Sequence, residues 1–344
     1  MMGMKKEMMV CTLGGGSGMP IVNKALVRSG VKKIKSIVTT FDSGGDSGRM
    51  RTDERGKILA FSDYWRSLIS LWDDGKQKAI WEEMLRYRDG RGRNFGNIFF
   101  QFMSEKSGNL SGVDSLFEKL TGARLIGSVI PVSLSPAEVC FRTKSGKSYK
   151  GEHRLDDLRM SLDKVEDIWL MPKVRANKEA VENIFKADYI IICPGSMYGS
   201  VITNLLPIGV IEAYNKSKAK KILMTNIMSV ANENDKYTQD DYVKIFSRFL
   251  KTERPFDLIL MADLKNLNKM ELNKLLKSYR MEHSEPIKFK NGSKIKTLVE
   301  DIALIDKVNL RLRHGEEKLA KVFVKIFKSY VSEKEKIRKK NQKN

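Results

Sequence analysis

The chain has 344 residues, 41% hydrophobic and 31% charged, with 63 Lys and Arg against 42 Asp and Glu and a formal net charge of +21. These proportions exclude a disordered chain, and the positive balance favours phosphate-bearing partners, although most of the lysines read as a solvated surface. Three scattered cysteines and three histidines without ligand spacing exclude a disulfide framework and a zinc cluster, and no apolar run reaches the roughly 18 residues of a membrane span.

Short β-branched runs alternate with amphipathic stretches, the pattern of a parallel sheet covered by helices. It predicts strands over 8–12, 34–40, 129–134, 189–193, 222–226 and 258–262. Helices are predicted over 21–29, 62–72, 81–86, 96–105, 113–120, 178–186, 210–216, 238–250 and 316–332. Residues 1–332 are expected to form one domain, with a small β insertion around 138–170 and a basic tail over 333–344. The amino terminus lacks an apolar signal core, so a cytoplasmic protein without a transmembrane segment is expected.

The first strand runs into Leu13-Gly14-Gly15-Gly16-Ser17-Gly18-Met19-Pro20 and then into a helix. That order points backbone N–H groups at the positive end of a helix dipole, where phosphate binds. It is not the dinucleotide fingerprint, whose third glycine would fall at Met19, and no Walker loop occurs. A second turn, Asp42-Ser43-Gly44-Gly45-Asp46-Ser47-Gly48-Arg49, follows the second strand. Gly92-Arg93-Asn94-Phe95-Gly96-Asn97 opens a later helix. Pro194-Gly195-Ser196-Met197-Tyr198-Gly199-Ser200 follows the strand over 189–193, with Asn204 beyond it as a bidentate amide partner for a diphosphate or sugar. Turns of this kind at successive strand ends predict a site at the carboxyl edge of a parallel sheet.

These motifs, together with Val129-Ile130-Pro131-Val132, Gly151-Glu152, Ala187-Asp188, Asn226-Ile227-Met228 and Arg313-His314-Gly315-Glu316-Glu317, fall in one order along nearly the whole chain. In that order the chain resembles the family that unites the bacterial gluconeogenesis factor, a UDP-sugar-binding regulator, with 2-phospho-L-lactate transferase of coenzyme F420 synthesis. The second turn is more similar to the gluconeogenesis-factor branch. The sequence departs from the family at Ser62-Asp63-Tyr64-Trp65-Arg66, where Gly-Asp-Ile-Arg-Asn is common, and at Asn94 and Asn232-Glu233-Asn234.

The resemblance implies a Rossmann-like three-layer αβα fold with a mostly parallel sheet and a nucleotide at its edge. It implies Gly14, Gly15, Gly16, Ser17 and Gly18 as a phosphate or sugar cradle, with Asp42, Gly44, Gly45 and Ser47 beside it. Asn97, Gly195, Ser196 and Ser200 complete the implied pocket, and Tyr279 and Arg313 are implied nucleotide contacts. Arg313 could clamp a diphosphate bidentately and Tyr279 could stack on uracil.

Two functions follow. One is a regulator that binds a UDP-sugar such as UDP-N-acetylglucosamine, needs no cofactor, and acts on central carbon metabolism and cell-wall precursor supply through a partner enzyme. The lack of any evident acid–base or nucleophile pair favours it. The other is a transferase that moves a phospho-acyl group from a nucleotide diphosphate to an acceptor hydroxyl, with Asp42 and Asp46 as magnesium ligands. Self-association into a homo-oligomer is expected. Nucleic acid is not an expected partner, because no aromatic-interleaved basic stripe occurs.

Overall fold

The computed structural model describes residues 7–73 and 75–341. Seven parallel strands form the central sheet: β1 (Met9–Gly14), β2 (Lys33–Val38), β3 (Gly127–Pro131), and, after the insertion, β7 (Tyr189–Ile192), β8 (Lys220–Met224), β9 (Leu258–Ala262) and β10 (Lys296–Glu300). Their spatial order is β10-β9-β8-β7-β1-β2-β3. The chain therefore leaves β1 toward β2 on one side and returns through β7 on the other. The pairing of Leu13 with Ile192 is where the two strands last run together before their turns diverge. Ligands of doubly wound sheets bind in the crevice that opens at such a switch.

β1 and β7 are buried along their whole length, as their unbroken apolar runs require. Their side chains alternate between two cores. Val10, Tyr189 and Ile191 join α1 (Gly18–Arg28), the helix Ser62–Leu71 and the carboxyl-terminal helix Glu316–Asn341 on one face. Met9, Cys11, Leu13, Ile190 and Ile192 join the helices Lys178–Lys186, Val210–Lys216 and Gln239–Leu250 on the other. This is the Rossmann-like three-layer αβα arrangement.

A buried polar network pins α1 to the sheet. Thr12 Oγ1 donates to Asn23 Oδ1 at 3.0 Å, and Asn23 Nδ2 donates to Ser36 Oγ at 2.9 Å and Ser70 Oγ at 3.1 Å. A satisfied network of this kind fixes orientation as much as it adds stability, and it sets where the amino terminus of α1 points.

The expected insertion is a three-stranded antiparallel sheet, β4 (Glu138–Thr143), β5 (Ser148–Lys150) and β6 (Val165–Met171), in the order β5-β4-β6. Periodicity does not reveal β10, the hairpin β11 (Ala303–Asp306) and β12 (Arg311–His314), or the helices Gly45–Asp53 and Lys269–Met281. The tail expected over 333–344 is taken up by the Glu316–Asn341 helix as far as it is described, and 342–344 lie outside the described residues. Among the described residues, no helix is long and apolar enough to cross a membrane.

Candidate functional site

β1 ends at Gly14 and α1 begins at Gly18, with Ser17 as its N-cap. Ser17 makes no side-chain cap; its hydroxyl instead accepts a hydrogen bond from Arg313 Nη1 at 2.8 Å. The first N–H groups of α1 are thus left without a side-chain partner at the positive end of the dipole. The glycines are needed mainly for contacts within the protein. A Cβ on Gly18 would lie 2.0 Å from the Pro194 carbonyl oxygen, and one on Gly15 would lie 2.2 Å from Asp63 Oδ2. Gly14 packs against Cys193, and only Gly16 needs left-handed backbone, at φ +62°. The cradle therefore owes its shape to the close approach of the turns after β1 and β7, and the Gly16 N–H is already given to Asp63.

The turn after β7 is also held by the protein's own groups. Asn226 clamps Gly195, accepting from its N–H at 3.0 Å and donating to its carbonyl at 2.8 Å. Glu233 accepts from Ser196 Oγ at 2.5 Å and from the Met197 N–H at 2.7 Å. Burial raises the Glu233 carboxyl to about 7 despite both hydrogen bonds. Ser196 and Gly195 thus face the cleft with their donors already engaged, and Ser200 is buried near Gly16. Asn204 is a correction to the expected amide contact. It is fully buried, and its Nδ2 donates to Gly14 O at 2.8 Å and Ser200 O at 2.7 Å, so it braces the two turns against each other.

The second turn and the Gly92–Asn97 segment lie elsewhere. Asn97 does not reach the cleft: its Oδ1 accepts from Trp65 Nε1 and its Nδ2 donates to Asp46 Oδ2. Ser47 is buried in the Gly45–Asp53 helix, which Gly44 caps, and neither it nor Gly45 lines the cleft. Asp46 turns inward to Asn94 and Asn97, away from Asp42, which accepts from the Gly44 N–H at 2.7 Å and Ser62 Oγ at 2.8 Å.

Asp42 stands in a group of carboxyls with Asp63 and Glu152. Burial, then the repulsion of Asp42, raises Asp63 to about 6, against the pull of Arg66. Burial and the neighbouring carboxylates raise Glu152 well above its usual range, and it hydrogen-bonds to Asp42. Magnesium needs carboxylate oxygens free to face it. Asp42 has both oxygens engaged and Asp46 is elsewhere, and among the described residues no three His, Cys, Asp or Glu side chains are arranged around a metal position. Asp42 and Asp46 thus turn to different partners rather than to one shared position.

The open space is a cleft of about 390 Å³ between the turns after β1 and β7, walled by the β12 strand and the helix Lys269–Met281. Arg159, Arg311 and Arg313 all line it. Glu282 ties two of them together, at 3.0 Å from Arg159 Nη2 and 2.7 Å from Arg311 Nη2. Tyr279 lines the cleft too, but its hydroxyl accepts from the Leu312 N–H and the Arg311 guanidinium lies 5.2 Å over its ring. His314 is buried at the wall, lowered to about 4 by desolvation and so neutral near pH 7, and its Nε2 has no partner among the described residues. Local spacing gives no hint of Arg159, Arg311 or Glu282; only the fold brings them to this edge.

Residues 10–303 match the family described as 2-phospho-L-lactate transferase CofD. A protein of Aquifex aeolicus named "Putative gluconeogenesis factor" is 30% identical over 94% of this chain and 98% of its own length. The gluconeogenesis factor of Halalkalibacterium halodurans is 31% identical over 70% of this chain and 73% of its own. A crystal structure of a Bacillus halodurans protein superposes with a TM-score of 0.81 at 26% identity, covering 92% of this chain and 99% of that one. The chain belongs to the CofD family.

Proposed function

We propose that the chain is a UDP-sugar-binding regulatory protein of the gluconeogenesis-factor type, with the nucleotide in the cleft between the turns after β1 and β7. The observation that carries this is the pairing of N–H groups without a side-chain cap at the start of α1 with three arginines from two distant segments, Arg159 and the β12 pair Arg311 and Arg313, in one cleft. A diphosphate needs both: backbone donors on one side and guanidinium forks on the other. The Nε2 of buried His314, without a partner among the described residues, supports a ligand that reaches the wall. Tyr279 contributes as an apolar edge beside Arg311.

Binding is favoured over turnover because the hydroxyl–carboxyl pair in the cleft, Ser196 with Glu233, is a brace of the turn after β7, the same carboxyl accepting from the Met197 N–H. In this proposal the bound sugar nucleotide reports on cell-wall precursor supply, and the protein adjusts central carbon metabolism through an enzyme partner, as a homo-oligomer that needs no cofactor.

Calorimetric titration with UDP-N-acetylglucosamine tests the proposal, alongside incubation with guanylylated phospho-lactate, a deazaflavin acceptor and Mg²⁺. Saturable binding without turnover is expected. Release of nucleotide monophosphate would replace it with the transferase function, and no binding of any UDP-sugar would refute it.

A further inference from the structure

A second cavity, of about 680 Å³, opens beside the second turn and shares no lining residue with the cleft. Arg49, Arg51, Arg55 and Arg93 line it with His153, facing only Asp53 and Glu138. Arg51 is almost fully buried. Its Nη atoms donate to Phe41 O, Asp42 O, Ala137 O and Glu138 Oε1, which fixes the guanidinium in place. Its Nε is left buried with no partner among the described residues. A guanidinium donor in that condition is an exception in a folded protein and asks for an acceptor.

The neighbouring arginines are also positioned. Arg49 is braced by the carbonyls of Arg91 and Gly92 at 2.8 Å each, contacts that leave its charge uncompensated apart from Asp46 at 3.8 Å. Arg93 is partly neutralised, by Asp53 at 2.6 Å and Asp46 at 3.7 Å. Arg55 is exposed on a left-handed backbone, φ +52°, and its guanidinium has no hydrogen bond or ion pair among the described residues. Holding such like charges together without enough carboxylate costs electrostatic energy that a bound anion would relieve.

We propose that this cavity binds a small phosphate-bearing metabolite, at a site separate from the nucleotide cleft. Arg51 has its Nε–H unclaimed, Arg49 keeps the guanidinium donors that its two carbonyl contacts do not use, and Arg55 has its whole fork, a donor set that matches the several oxygens of a phosphate group better than a single carboxylate. His153 adds a ring held by Ser43, at 3.0 Å from its Nδ1. Ser43 follows Asp42 directly in the second turn, so occupation of the cavity bears on the same turn that adjoins the carboxyl group beside the first turn.

The test is titration of the full chain, in the presence of excess UDP-N-acetylglucosamine to occupy the cleft, with inorganic pyrophosphate and, separately, inorganic phosphate, at ionic strength held constant with chloride. Wild type should bind pyrophosphate saturably. Arg55→Gln should weaken that binding about tenfold, as loss of one charge-assisted contact does, and Arg49→Gln with Arg55→Gln should weaken it further. Both variants should keep UDP-N-acetylglucosamine affinity within about twofold, a spread too small for a lost contact. Arg313→Ala should leave pyrophosphate binding in place. The proposal is overturned if wild type shows no binding beyond the chloride control, or if Arg313→Ala abolishes binding that Arg55→Gln leaves unchanged. The first result would leave the nucleotide cleft untouched as a separate question, because its own titration uses a different ligand.

Discussion

Glu233→Gln isolates the electrostatic cost of the turn after β7. The Glu233 carboxyl is raised from 4.5 to about 7 by burial. A folded-state value above the unfolded one means stability is fully present below about pH 4.5 and is lost as pH rises through about 7. A rise of about 2.5 units at about 1.4 kcal/mol each gives an upper figure of about 3 kcal/mol, most of it spent between pH 5 and 8. Glutamine keeps the shape and both contacts: its amide oxygen accepts from the Met197 N–H and its amide nitrogen donates to Ser196 Oγ. Urea unfolding of both proteins at pH 5 and pH 8 is the assay. Wild type should lose about 2 kcal/mol more than the variant over that interval, since Asp63 and the other raised carboxyls titrate in both and cancel. Parallel pH dependences would show that Glu233 is not held up by burial, and the account of the turn would fail.

Arg313→Ala should reduce UDP-sugar affinity at least tenfold by calorimetry, the loss of one charge-assisted bond. It should change stability by less than about 0.5 kcal/mol, because its ion pair with Asp306 is a long surface contact at 3.9 Å. Gly16→Val should fold at a cost of about 1–2 kcal/mol for its left-handed backbone and lose nucleotide binding. Gly18→Ala is the more damaging change despite its smaller side chain: its Cβ meets the Pro194 carbonyl at 2.0 Å, and thermal unfolding should show the larger loss. Asn204→Asp sets a buried carboxylate against the carbonyls of Gly14 and Ser200. It should cost about 3 kcal/mol or more at pH 8 and less at pH 5, where the acid regains its proton; a pH-independent deficit would contradict this.

The central strands were legible because a parallel strand buried on both faces leaves an uninterrupted apolar run, as Tyr189–Ile192 does. β10 was not, because Lys296–Glu300 is a partly exposed edge strand with charged ends, and β11 and β12 have only four residues each, too short for an alternating pattern to stand out, although Arg313 itself was marked by the resemblance. The glycine turns were legible as turns at strand ends. Which groups would use their donors was not, because Asp63 and Glu233 reach those N–H groups through the fold rather than through local spacing. Asn97 and Asn204 show the same limit from the other side: an amide beside a glycine turn looks like a ligand contact until the fold reveals the backbone carbonyl or carboxylate that claims it.

This changes what the positive charge of the chain means for the site. Much of the anion-binding capacity of the turns is already taken by the protein's own carboxyls and amides, which leaves the start of α1 as the main free backbone donor set. In the proposed complex a diphosphate would be held largely by Arg159, Arg311 and Arg313, and two of these are kept in place by Glu282. Glu282 compensates their charge without a ligand and must share them when one binds. On the proposed function, affinity in this cleft would be set by competition between one carboxylate and a diphosphate for the same two guanidinium groups, with the glycine turns fixing where that competition takes place.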